Sequence, residues 1–218
     1  MKVVLFGASG MVGQGVLREC LIDPAVTEVL AIGRTGTGRK HPKLREIRRQ
    51  DLHNLATLEP ELATFDACFF CVGVSSAGMT EQTYTRLTYD LTIAVARTLA
   101  RARPGMAFTY VSGAGTDRSG HGRSMWARVK GRTESELLAL PLQATMFRPA
   151  IIAPMHGERS KTLAYSLFYA LAKPMLPLLR RTLPHYVTTT EHLGRAMIAV
   201  AAHRPPRAVL ENADINAF

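Results

Sequence analysis

Glycines at positions 7, 10 and 13, in the run Gly7-Ala8-Ser9-Gly10-Met11-Val12-Gly13, have a spacing suited to holding a pyrophosphate. A tight turn out of a strand needs the backbone freedom of Gly7. Gly10, with no Cβ, lets the chain approach a phosphate, and Gly13 lets the following helix pack close to the strand. The free N–H groups and positive dipole end of that helix then face the anion, with Ala8, Ser9, Met11 and Val12 as intervening backbone. The competing reading is a glycine turn used only for packing. The end of the next strand selects the nucleotide. An NAD site places an acid there, about 20 residues on, for the ribose 2′-hydroxyl. Here Gly33-Arg34-Thr35 stands in its place. Arg34 can pair with a 2′-phosphate, and Arg39 and Lys40 add positive field. NADP(H) is therefore favoured over NAD(H).

The elements that must position these residues follow from hydrophobic pattern. Strands are expected at 2–6, 27–32, 44–49, 67–72, 106–112, 143–147 and 207–211. Helices are expected at 11–22, 80–103, 124–140 and 191–203, with Pro104-Gly105 and Pro141 as stops. Alternating strands and helices imply an α/β fold, a doubly wound, mostly parallel sheet with helices on both faces. One domain over 1–218 is expected, with 153–186 departing from the alternation as a small substrate-side lobe.

Further residues come in a familiar order: Asp51-Leu52, Cys71-Val72-Gly73, Val111-Ser112, Lys130 and Arg148-Pro149-Ala150. With the glycine run and Gly33-Arg34, they resemble the short-chain dehydrogenase/reductase superfamily. The likeness is to its atypical branch of small, epimerase/dehydratase-like proteins on a Rossmann sheet, and it covers nearly the whole chain. It implies that Asp51 and Leu52 border an adenine and that Cys71, Val72 and Gly73 run along the cofactor. It also implies that Arg148 and Pro149 lie at the cofactor site, that Ser112 takes the place of the catalytic serine, and that Lys130 holds the nicotinamide ribose.

The superfamily's Tyr-x-x-x-Lys pattern sets a phenol and an ammonium on one helix face, and the phenol gives up the proton. In this chain Trp126 stands four residues before Lys130. An indole N–H donates a hydrogen bond but no proton near neutral pH. Three readings follow. The protein reduces a small, apolar carbonyl with another donor, such as Ser112, Ser124, His121, Tyr84 or Tyr89. Alternatively it binds NADP(H) without turnover, as a redox sensor, regulator or scaffold. In the third reading the Trp–Lys alignment is spurious and the site lies elsewhere; for Trp126 itself the competing reading is a core residue, as aromatics on helices usually are. The loop Ser112-Gly113-Ala114-Gly115-Thr116 follows the fifth strand at its carboxyl end, where ligands bind in such sheets.

Composition bounds the rest. The chain has 218 residues and a formal charge of +10, with 47% hydrophobic and 20% charged residues. That is a folded globular composition. Cys20, Cys68 and Cys71 offer no disulfide framework, which favours a reducing, cytoplasmic setting. The first apolar run is too short for a secretory leader, and no run of about 18 apolar residues suggests a spanning helix. On a strand, Cys68 and Cys71 face opposite sides, so they are buried small hydrophobes rather than a redox or metal pair. Seven histidines show no metal-ligand spacing, and no metal is expected. The basic run 34–49 lacks interleaved aromatics, so no nucleic acid is expected. The apolar stretch 163–179, flanked by basic residues, is open to four readings: a lid, a peripheral membrane contact, a homodimer contact or a buried helix.

Overall fold

In the computed structural model the described residues are 1–158 and 185–218. The stretch 163–179 and most of the expected lobe 153–186 lie outside them. Seven strands form one parallel sheet: β1 (Lys2–Phe6), β2 (Glu28–Gly33), β3 (Leu44–Arg48), β4 (Ala67–Phe70), β5 (Ala107–Val111), β6 (Gln143–Arg148) and β9 (Val209–Glu211). The order β3-β2-β1-β4-β5-β6-β9 reverses direction at β1, as a doubly wound sheet does. The crevice outside the carboxyl ends of β1 and β4 is therefore where a ligand belongs.

The central strands are Val-, Leu- and Phe-rich because both faces of the sheet are covered. On one face α1 (Met11–Ile22) and α6 (Thr190–Ala202) pack over Val3, Leu5, Phe69 and Phe147. On the other, Val4, Phe6, Phe70, Phe108 and Tyr110 meet Ile93, Leu99 and Leu137 from α4 (Leu91–Ala102) and α5 (Met125–Ala139). Phe70 sits among Phe6, Phe108 and Tyr110, with ring centroids 5.7, 6.0 and 6.2 Å away. Cys68 belongs to this second core, whereas Cys71 packs against the first, on opposite faces as expected.

Helix α1 keeps the expected bounds, and most other elements differ by a residue or two. β4 ends early, at Phe70, because the chain must swing past the turn at Gly7. Gly7 has φ +82°, and a Cβ there would lie 2.6 Å from the Cys71 backbone. The pattern over 80–103 is not one uniform helix. A short α3 (Glu81–Thr85), capped by Thr80, runs through a wide π turn at Arg86–Asp90 into α4. Arg132 of α5 stacks on Tyr89 of that turn, 4.1 Å from the ring centroid. Thr189 caps α6 by accepting from the His192 N–H at 2.9 Å. Three short features escape periodicity: α2 (Glu59–Leu62), the terminal α7 (Asn212–Asn216), and a two-stranded parallel pair, β7 (Ile151–Ala153) with β8 (Val187–Thr189). Elements of three to five residues are too short to show a period.

Candidate active site

The crevice is a groove with two connected chambers. The first, of about 420 Å³, is lined by Gly7, Ala8, Ser9 and Gly10, by Gly33 to Thr37, and by Glu46, Ile47, Arg48, Gln50 and Leu52. The second, of about 580 Å³, is lined by Met11, Val12, Ser75, Ser76, Tyr84, Ser112, Trp126, Lys130, Pro149, Ala150 and Ile152. Gly10 and Cys71 to Val74 belong to both walls, so one elongated molecule can span them.

The glycine turn closes with the Gly10 N–H donating to the Gly7 carbonyl at 2.9 Å. Gly10 is the N-cap of α1 and offers no side-chain bond to its first turn. Helix N–H groups without intrahelical partners thus point to the groove. Arg34 is exposed on the wall of the first chamber, where the spacing argument put it. Leu52 is also on that wall. Asp51 is not; its carboxylate accepts from the His53 N–H at 2.8 Å. Cys71, Val72 and Gly73 line both chambers. Burial pushes the Cys71 thiol up to about 12, so it remains a neutral thiol.

Helix α5 builds the far wall. Trp126, Lys130 and Glu134 recur at four-residue intervals and share one helix face. Trp126 is half-buried, its ring seated beside Gly113 and Gly115, each 3.8 Å from where a Cβ on the glycine would be. It is a chamber wall rather than a core residue. The Lys130 ammonium donates to the Ser112 carbonyl and, at 3.4 Å, to that of Val111. Lost hydration lowers its pKa to about 8, with the Glu134 charge pulling the other way.

Ser112 is where the resemblance placed it, but its hydroxyl is engaged. It donates to Oε1 of the fully buried Glu134 at 2.6 Å, and the Phe147 carbonyl lies 3.1 Å away. Glu134 also accepts from Arg148 Nε at 3.0 Å and from its terminal nitrogen at 2.6 Å. Arg148 reaches on to Glu211 at 3.1 Å. Arg148 thus stands behind the chamber wall as the partner of Glu134, while Pro149 and Ala150 face the chamber. Of the other candidate donors, Tyr84 is on the chamber wall. Tyr89 lies under Arg132, Ser124 is the exposed N-cap of α5, and His121 is in an exposed loop. Sequence reasoning passed over Glu134. The signal was its position four residues after Lys130, a charged residue on the helix's inward face.

The Lys130 pKa carries a stability consequence. In the unfolded chain the amine keeps its proton up to about 10.5, whereas in the fold it releases it near 8. Between these values the unfolded state binds more protons, so the fold gains stability as pH rises. Wild type should therefore gain Tm relative to Lys130→Met between pH 8 and pH 10.5. A Tm difference that stays flat over that window would contradict the buried ammonium.

The sheet order, the glycine turn and the divided groove define a doubly wound Rossmann fold. No protein-family model matches the chain. It is 28% identical over 177 residues to Protein fmp52, mitochondrial, of Emericella nidulans, covering 78% of this chain and 74% of that one. It is 26% identical to Protein HTATIP2 of Rattus norvegicus over 154 residues, 69% of this chain and 62% of that one. Among solved structures, the Bordetella bronchiseptica enzyme WbmF in complex with NAD+ superposes with a TM-score of 0.69 at 15% identity, covering 99% of this chain and 76% of that chain. The dTDP-glucose 4,6-dehydratase DesIV of Streptomyces venezuelae, with NAD and TYD bound, gives 0.68 at 16% identity, over 100% and 79%. These solved structures bear out the fold that the resemblance to the epimerase/dehydratase-like short-chain dehydrogenase/reductases implies. Among the described residues no helix is long and apolar enough to cross a membrane.

Proposed function

We propose that the protein binds NADP(H) and is an oxidoreductase acting on a small, apolar carbonyl or alcohol through a non-standard active site. The observation that carries this is the continuous groove from Arg34, past the open first turn of α1, to the chamber walled by Trp126 and Lys130. The residues fit the dinucleotide. A Cβ at Gly7 would strike backbone, whereas at Gly10 it would meet only the Gly7 carbonyl, at 3.4 Å. The turn is therefore held tight from behind and left open towards the groove. The first-turn amides of α1 take the pyrophosphate and the Arg34 guanidinium takes the 2′-phosphate. The solved neighbours hold NAD, so the NADP(H) preference rests on Arg34.

When bound, the nicotinamide supplies or accepts a hydride. This chain's residues supply the surroundings. Trp126, Val72 and Ile152 give the substrate end apolar walls, which suits an apolar substrate. The Ser112 proton is committed to Glu134 and the Cys71 thiol holds its proton tightly. Lys130, poised near pH 8, is the group of these three that can exchange one at neutral pH. A second reading, NADP(H) binding without turnover, as a redox sensor or scaffold, is favoured by the same Ser112–Glu134 bond. That bond removes the second donor of the usual catalytic set, beside the absent tyrosine. A reducing compartment suits the three free cysteines. The fmp52 relatives are named as mitochondrial, so the cytoplasmic expectation broadens to a reducing compartment of either kind.

Trp126 is the single tryptophan, and its place on the chamber wall makes its fluorescence a direct probe. Titration with NADPH should give saturable quenching at lower concentration than with NADH. Arg34→Ala should lower that preference by roughly tenfold or more, the value of a charge-assisted contact. Turnover of a carbonyl panel with NADPH then separates reductase from sensor. Binding of neither nucleotide by calorimetry would overturn the proposal.

A further inference from the structure

We infer that Arg48 is a second guanidinium of the 2′-phosphate subsite, and that Gly36 exists to seat it. This rests on the NADP(H) reading above and extends it to residues that the glycine motif does not reach. The β2–β3 register pairs Gly33 with Arg48, so the end of β3 lies beside the residue preceding Arg34. Both arginines line the first chamber.

Among the described residues they lack the carboxylate partners that Lys2 of β1 and Arg45 of β3 have. Lys2 pairs with Glu28 at 3.0 Å, and Arg45 with Glu28 at 2.9 Å and Glu61 at 2.5 Å. Arg49 donates to the Thr57 hydroxyl at 2.9 Å. Among the described residues neither Arg34 nor Arg48 has an acidic partner. The one carboxylate on the chamber wall, Glu46, accepts from the Thr37 N–H at 2.9 Å and from the Thr37 hydroxyl. It braces the loop after β2. Two guanidinium charges against the single carboxylate of Glu46 leave the chamber wall net positive, a field suited to a phosphate dianion.

Gly36 is the independent observation. A Cβ on it would lie 2.5 Å from an Arg48 terminal nitrogen, 2.9 Å from Nε and 3.0 Å from Cζ. The guanidinium therefore rests against the bare backbone of residue 36, in the loop that carries Arg34. The backbone at Gly36 does not have positive φ, so turn geometry does not require glycine there. The space for Arg48 does.

The test is calorimetric titration of the full chain with NADP+, NAD+ and 2′,5′-ADP. Arg48→Ala should weaken NADP+ and 2′,5′-ADP by about tenfold or more and leave NAD+ within about twofold. Arg48→Lys should fall between, since it keeps the charge but loses the fork. Gly36→Ala displaces only the far end of a flexible side chain, so it should fold normally and lower the NADP+ preference in the same direction. Arg45→Ala, on the same basic run but off the chamber wall and held by Glu28 and Glu61, should leave both affinities within about twofold of wild type. If wild type does not prefer NADP+, the cofactor reading fails and this inference with it. If wild type prefers NADP+ but Arg48→Ala and Gly36→Ala keep that preference, the inference alone is overturned.

Discussion

Gly13→Ala should destabilise the fold by roughly 3 kcal/mol and weaken dinucleotide binding by more than tenfold. A Cβ at position 13 would lie 2.1 Å from the Gly7 carbonyl oxygen, 2.6 Å from its carbon and 2.9 Å from the Ala8 Cα. All three are backbone atoms of the turn, so no rotamer can yield. Helix α1 must move off β1, opening the joint between Val16 and Leu17 and the sheet beneath them. The same movement carries the first-turn amides away from the groove. Gly10→Ala is the informative contrast. Its Cβ would find one neighbour, at 3.4 Å, and would project where a phosphate approaches. It should lose binding while keeping its urea midpoint. Urea unfolding and calorimetry of the two variants separate packing from ligand approach. A Gly13→Ala protein that unfolds at the wild-type midpoint would refute the account of the turn.

Glu134→Ala should cost about 3 kcal/mol, near the lower end for a broken buried ion pair, because the Arg148 side chain keeps 16% exposure and retains Glu211. The cost comes from what is left behind: a guanidinium deprived of a bidentate partner, and a buried hydroxyl at Ser112 left with the Phe147 carbonyl. Glu134→Gln keeps the shape and one acceptor, so its loss should be smaller. If Glu134→Ala matches wild type in Tm, the ion pair is not what holds the ends of β5 and β6 together. In the reductase reading the variant has a second effect. Freed from Glu134, the Ser112 hydroxyl can turn to the chamber, so any residual carbonyl turnover should rise per folded molecule rather than fall.

The legible parts of the site were those encoded locally. Gly7, Gly10 and Gly13 act within one turn, Arg34 acts from the end of a strand, and Trp126 and Lys130 are one helical turn apart. Spacing along the chain is their geometry. Arg48 was visible only as one cation in a basic run. Its significance comes from a strand register that pairs it with Gly33 and from the empty face of Gly36, neither of which is local. Glu134 is similar, since it meets Ser112 and Arg148 through the joining of β5, α5 and β6. Asp51 shows the reverse: it matches a motif, yet its carboxylate turns to a neighbouring amide. The main strands and long helices were legible because burial on both faces of the sheet writes long apolar runs. Strands β7 and β8, three residues each, exist by pairing with each other across the chain, and nothing within either announces it.

The bond from the Ala150 N–H to Asn212 Oδ1, at 3.1 Å, and the contact of Arg148 with Glu211 bear on the order of assembly. All residues lining the first chamber lie between positions 7 and 74. Strands β1 to β4 do not close the nucleotide half alone, because α1, which carries the first-turn amides, shares its core with Leu193, Ala196 and Met197 of α6. The second chamber likewise waits for a segment about sixty residues further along than the strand it secures. Both chambers therefore mature late in synthesis, once the C-terminal helix has docked on the first one.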